Sequence, residues 1–181
     1  MEQRHMTRVS KQLSLVLRHA PESIGITLDA AGWVAVDDLL AALDRHGSQV
    51  SRLVLDQVVA DSDKRRFAFD ETGTRIRASQ GHSVTVDLGL TPTDPPPVLY
   101  HGTVAAALPS IAEDGLRPMH RHHVHLSATR DTAVTVGARR GKPVVLVVDA
   151  AAMAADGHIF HVSANGVWLA AEVPPRYFDL P

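Results

Sequence analysis

The residues of this chain best suited to chemistry are arginines and histidines at the ends of sequence elements: Arg18 and His19, Lys64, Arg65 and Arg66, His101, His125, and Arg139 with Arg140. Taken singly, each serves equally well as a surface charge or a helix-terminal residue. Taken together they describe an anion site. Guanidiniums drawn from three separate segments can surround one phosphate, and fixed cations of this kind stabilise charge that builds on oxygens during transfer. Histidines beside them can handle protons near neutral pH.

Two competing chemistries fail on spacing. His120, His122, His123 and His125 suggest a zinc or copper site, but no cysteine and no nearby carboxylate completes a ligand set. No metal is therefore expected. The segment Gly137 to Lys142 is one residue short of a phosphate loop and has Pro143 where Ser or Thr would hold magnesium. It also leaves a helix to enter a strand, the reverse of that motif's order. A nucleoside triphosphatase is excluded, and no G-x-G-x-x-G string supports a Rossmann site.

The elements that must carry the cations follow from apolar spacing. From Thr7 to His19, Val9, Leu13, Val16 and Leu17 recur at helical intervals, with Thr7 as N-cap and Pro21 as the stop. Arg18 and His19 then sit in the last turn, where the helix dipole favours cations. After a strandlet at Gly32 to Val34, a second helix opens at Val36 or Asp37 and closes at Gly47. Ser51 caps a third, whose buried stripe is Leu53, Val54, Val58 and Val59. Arg66 to Phe69 and Thr74 to Arg77 alternate around a turn and read as a hairpin. Three helices and a two-stranded wing describe a winged helix.

Gly89 to Pro97 hold four prolines and no apolar periodicity, the composition of a linker. Beyond it come a strand at Val98 to His101, a helix from Val104 to Asp114, a strand at Val124 to Ser127 and a helix from Arg130 to Arg139. The β-branched run Pro143 to Val148 has the pattern of a buried central strand. Asn165-Gly166 marks a tight turn into Val167 to Leu169, and Tyr177 to Leu180 suit a last edge strand. This half is α+β with short strands.

Composition sets the outer bounds. With 181 residues, 45% of them hydrophobic, and no cysteine, the chain is neither low-complexity nor disulfide-framed, and can form two small lobes. The run at Pro143 to Val148 falls far short of the roughly 20 residues needed to span a bilayer. Without a signal-like apolar start, a cytoplasmic location is expected. The formal charge of −2 argues against coating nucleic acid by bulk electrostatics. Yet 15 of the 18 basic residues are arginine, whose planar fork suits bidentate phosphate binding, so any nucleic-acid contact must be local.

Taken in order, the strings L-R-H-A-P (Leu17 to Pro21), D-K-R-R-F (Asp63 to Phe67), Y-H-G-T (Tyr100 to Thr103), H-L-S (His125 to Ser127), G-A-R-R-G-K-P (Gly137 to Pro143) and N-G-V-W-L (Asn165 to Leu169) closely resemble the RNA 2′-phosphotransferase family, called Tpt1 or KptA. The resemblance covers nearly the whole chain. Each string alone is weak, and six in the family's order at comparable spacing are specific.

The resemblance implies an α+β fold with a winged-helix, RNA-binding lobe over residues 1–88, a proline-rich linker over 89–97 and an ADP-ribosyltransferase-like, NAD⁺-binding lobe over 98–181. It implies a metal-independent transfer with NAD⁺ as co-substrate. An internal RNA 2′-phosphate attacks the nicotinamide ribose and expels nicotinamide, giving an ADP-ribosylated 2′-phosphate. A ribose hydroxyl then takes the phosphate, leaving 2′-hydroxyl RNA and ADP-ribose 1″,2″-cyclic phosphate. By position in the motifs, Arg18, His19, Arg66 and Arg139 would be catalytic. His101, Gly102, Thr103, His125, Ser127 and Val167 would meet NAD⁺, Val167 standing where many ADP-ribosylating relatives carry Glu. Lys64, Arg65 and Arg140 would support the RNA. Which arginine of the doublets Arg65/Arg66 and Arg139/Arg140 faces the phosphate stays open. The expected partners are RNA with an internal 2′-phosphate and NAD⁺, with no membrane and a monomeric chain.

Two alternatives stand beside this reading. One keeps the fold and leaves ADP-ribose on a terminal nucleic-acid phosphate. The other is a winged-helix regulator that binds DNA and senses NAD⁺ or a metal. Residues 1 to 80 weaken the latter, since their 11 basic residues are matched by 11 acidic ones.

Overall fold

The first apolar stripe of the sequence folds into a helix, and a longer one than its cap signal predicts. In a computed structural model describing residues 2–62 and 65–181, α1 runs over Glu2–Arg18. Thr7 is not its cap. It lies inside the helix, and its Oγ1 donates to the Gln3 carbonyl 2.9 Å away, the in-helix bond that lets a threonine sit there. Val9, Leu13, Val16 and Leu17 are buried as expected. The chain leaves α1 through a 3₁₀ turn at Pro21–Ile24.

The rest of the first half packs against that stripe. Strand β1 (Val34–Ala35) leads into α2 (Val36–Arg45) and α3 (Arg52–Ala60), with Ser51 accepting from the Val54 amide at 3.3 Å as the predicted N-cap. The buried residues of α3 are Leu55 and Val58, whereas Leu53 is 75% exposed. The buried stripe is therefore displaced from the predicted one by part of a turn. Strands β2 (Phe67–Phe69) and β3 (Arg75–Ala78) form the expected antiparallel hairpin, and β1 joins β3 to give the order β1-β3-β2. Asp70 ties the turn by accepting from the Thr74 and Arg75 amides, which with the Arg75 guanidinium hold its carboxyl down at about 2.

The chain divides into two units, Met1–Gly89 and Leu90–Pro181, and each has its own apolar core. The proline-rich stretch is bonded to the second unit: the Thr93 amide donates to Phe160 and the Pro97 carbonyl accepts from Ala151.

In that unit β4 (Val98–Val104) is followed by a 3₁₀ turn and α4 (Leu108–Asp114), then β5 (Val124–Leu126), α5 (Arg130–Gly137) and β6 (Pro143–Asp149). Helix α6 (Ala150–Ala155) and strand β7 (Phe160–Val162), both unread in the sequence, precede β8 (Trp168–Ala170). β4 pairs with β6 along their full length, and β5-β8-β7 form a three-stranded antiparallel sheet. β6 is thus not a central strand. It has one partner strand, and burial alternates along it, with Leu146 and Val148 inside and Val147 42% exposed. Tyr177 to Leu180 form no strand; a 3₁₀ turn at Pro175–Tyr177 leads to a single bridge from Phe178 to Val148. The predicted Asn165-Gly166 turn joins β7 to β8, with Gly166 at φ +79°.

The outcome is a mixed α and β chain with small antiparallel sheets. Among the described residues no helix is long and apolar enough to cross a membrane.

Candidate active site

Within the first unit, the end of α1 meets the start of the hairpin. Arg18 is half-buried there, its Nη2 donates to the Arg66 carbonyl at 3.4 Å, and its guanidinium lies 5.8 Å from the centre of the Phe67 ring. The Arg66 carbonyl also takes the Ser79 amide, and its own amide bonds Ser62 Oγ. The Arg18 side chain thus reaches the Arg66 backbone, which Ser62 and Ser79 hold in place. His19, exposed just past the helix, is gripped at Nδ1 by Ser83 Oγ, 2.9 Å away. Ser83 is fixed in turn by its amide, which donates to the Arg18 carbonyl at 2.8 Å. Sequence reading passed over Ser83 because a lone serine carries no motif. Arg65, exposed at φ +39°, contributes its carbonyl to Ser79 Oγ. Lys64 lies outside the described residues.

Within the second unit, a bridge between Tyr100 and Ser127 sets β4 beside β5. His101 is then placed to donate from Nδ1 to the His125 carbonyl at 3.0 Å. A carbonyl only accepts, so the proton sits on Nδ1 and Nε2 keeps its lone pair. Burial above all, and Arg140 to a lesser degree, hold the His101 pKa below the usual histidine range, against the opposing pull of that carbonyl. His101 is neutral at pH 7.

His125 has the opposite polarity. Arg121 Nη1 stands 2.9 Å from its Nδ1, and a guanidinium only donates, so the neutral ring carries its proton on Nε2. Desolvation, then Arg140 and Arg139, push the Arg121 pKa down from its ordinary value. Arg139 and Arg140 thus act on Arg121 through their charge, and Arg140 acts on His101 as well. Arg139 and Arg140 stand exposed in the turn after α5, which ends at Gly137 and not at Arg139 as the sequence predicts.

The remaining residues named from the sequence divide by role. Gly102 faces α5: a Cβ there would lie 1.8 Å from the Ala133 carbonyl oxygen and 2.8 Å from the Gly137 nitrogen. Its missing side chain seats a helix rather than admitting a ligand on that side. Gly137 answers it, since a Cβ on Gly137 would stand 2.8 Å from the Thr103 oxygen. Thr103 is buried and Ser127 is engaged with Tyr100 through both backbone groups. Val167 closes the β7–β8 turn, its amide bonding Ser163 Oγ and its carbonyl taking the Ser163 amide. Trp33 packs beneath Arg77 and Arg75, at 4.5 and 5.5 Å from its ring centre.

Comparison with known proteins decides the family. The profile of the family described as "RNA 2'-phosphotransferase, Tpt1 / KptA family" matches residues 3–172. A protein of Streptomyces coelicolor named "Probable RNA 2'-phosphotransferase" is 61% identical over 100% of this chain and 98% of its own. Proteins of the same name from Trichormus variabilis and Burkholderia pseudomallei are each 54% identical, covering 99% and 97% of this chain and 99% and 95% of their own. This chain belongs to the RNA 2′-phosphotransferase family.

Each unit sets an imidazole beside an arginine: His19 follows Arg18 in the first, and Arg121 bonds His125 in the second. Arg121, like Ser83, is marked by none of the sequence strings. It lies in a histidine-rich loop assessed for metal ligation, and the available signal was its position four residues before His125. Met119, with φ +57°, bends that loop just ahead of it.

Proposed function

We propose that this RNA 2′-phosphotransferase uses NAD⁺ as a co-substrate, with a winged-helix first unit that holds the RNA and an ADP-ribosyltransferase-like second unit that holds NAD⁺. The order of three helices and a hairpin supports the first assignment, and the family membership of the whole chain supports both. In the proposed course, the RNA 2′-phosphate attacks the anomeric carbon of the nicotinamide ribose as the bond to nicotinamide breaks. The neighbouring ribose hydroxyl then attacks phosphorus, and the RNA 2′-oxygen leaves and takes up a proton. The product pair is 2′-hydroxyl RNA and ADP-ribose 1″,2″-cyclic phosphate.

The second unit has a donor set that fits a dinucleotide. The cations Arg121, Arg139 and Arg140 suit a pyrophosphate, while neutral His101 offers an acceptor at Nε2 and His125 a donor at Nε2 for ribose or carboxamide groups. On the RNA side, Arg18 and Arg66 would fix the 2′-phosphate without protonating it, which keeps it nucleophilic in the first step. The same guanidiniums would balance charge on the phosphoryl oxygens in the second. His19, anchored through Nδ1 by Ser83, would serve the departing 2′-oxygen from Nε2. A cytoplasmic, monomeric enzyme completes the reading.

The observation that carries the proposal is the near-complete family match together with arginine–histidine clusters in both units. Mass analysis of products from a 2′-phosphorylated oligonucleotide and NAD⁺ tests it. Nicotinamide and the cyclic phosphate are expected. Phosphate loss without NAD⁺, or ADP-ribose retained on the RNA as the final product, would overturn the two-step course.

A further inference from the structure

Beyond the cations assigned to the reaction, α1 carries a second set with no role in it. Arg4 and Lys11 precede Arg18 by fourteen and seven residues, so all three fall on nearly one line along the helix, over about 21 Å. Arg8 lies beside that line. All but Arg18 are exposed. Against these cations α1 has only Glu2. The unit's acidic residues lie mostly elsewhere, on and after α2.

Alongside this line, α1 and the end of α3 enclose an open groove of about 440 Å³. Thr7, Ser10 and Ser14 form its α1 wall at helical spacing, Lys11 stands at its margin, and Ser62 and Arg66 close the α3 side. Among the described residues, Asp61 is the one acidic side chain lining it. Met6 and Val58 give the groove apolar surface, and the hydroxyls of Ser10 and Ser14 add donors for oxygen ligands. Arg66 belongs both to this groove and, in the reading above, to the phosphate site. The groove therefore opens directly onto the reacting group.

We propose that this groove is a docking track for the single-stranded RNA flanking the 2′-phosphate, with Arg4 and Lys11 on backbone phosphates and Ser10 and Ser14 on phosphate or ribose oxygens. It rests on the phosphotransferase reading, since Arg66 is the link between track and reaction. A single strand is the class that fits, because the unit as a whole lacks the cationic excess that sequence-independent duplex binding requires, whereas a local cationic groove tracks one backbone.

Two measurements on the full chain test it. The first compares KM for a 2′-phosphorylated oligonucleotide with one nucleotide on either side against one of about twelve nucleotides. The longer RNA is expected to be preferred. Arg4→Ala/Lys11→Ala should shrink that preference about tenfold, and Arg4→Lys/Lys11→Arg should restore it. Alanine keeps the helix intact. The second measures binding of an unphosphorylated oligouridylate of the longer length as a function of salt, which needs no turnover. The double alanine variant should lower the slope of log K against log salt by about 0.7 for each backbone phosphate that α1 no longer neutralises. An unchanged slope, or duplex RNA bound more tightly than the single strand, overturns the track. Failure of the wild type to release nicotinamide from either substrate while the slope still falls overturns the reaction and leaves the track standing.

Discussion

At the scale of the residue, the deciding contacts are hydrogen bonds whose direction is fixed by chemistry. Arg121 touches His125 directly, and Arg139 and Arg140 act on Arg121 through their charge. Arg121→Ala is therefore expected to slow turnover by about 10²–10³-fold, with Arg121→Lys recovering little because one ammonium cannot reproduce the fork. Single-turnover rates with saturating RNA check this, and a variant within a few-fold of wild type would remove Arg121 from the site. His101 gives a pH prediction. Its folded pKa is lowered, so the unfolded chain binds the proton more readily, and stability is complete above the unfolded value and declines as pH falls below about 6.5. His101→Gln, which keeps a neutral polar group, should flatten that part of the curve in chemical denaturation across pH. At this scale Arg18, Arg66, His101 and His125 were legible as candidates through their strings. Arg121 and Ser83 were not, because their significance is a partner made adjacent only by folding.

At the scale of the element, burial and close approach decide. The apolar period of α1 was readable, but its start was not, because residues ahead of Thr7 continue the helix and a threonine inside a helix can bond its own preceding turn. β6 was misjudged for a related reason. A β-branched run records strand propensity, and the number of neighbours is set by the rest of the chain. Gly102 shows how a motif residue can serve architecture. Gly102→Ala must push α5 off β4, since backbone atoms occupy the space of the new methyl. A loss of about 3 kcal/mol or more is expected in urea denaturation, with α5 and the Arg139-Arg140 turn displaced together. An alanine tolerated within about 1 kcal/mol would show that the helix and strand approach each other less closely than described.

At the scale of the molecule, the two apolar cores predict separable units. The first contains Leu13, Leu17, Leu39 and Ile76, and the second Leu99, Leu146, Met153 and Phe160, with no residue shared. A fragment of residues 1–89 should melt cooperatively on its own, checked by circular dichroism; a featureless melt would mean that its core depends on the remainder. The sequence reading expects two lobes joined by the prolines of residues 89–97. It could not foresee that the proline stretch is bonded to the second unit, because Thr93 and Pro97 use backbone groups that leave no trace in side-chain pattern.

The opposed wiring of His101 and His125 has a consequence for recognition. The His101 proton is held on Nδ1 by a carbonyl and that of a neutral His125 is left on Nε2 by a guanidinium, so the two rings have opposite polarity and neither reverses without breaking its bond. In the proposed dinucleotide site such a pair would work as a polarity filter, since a ligand presented back to front would set like groups against each other before any bond is broken.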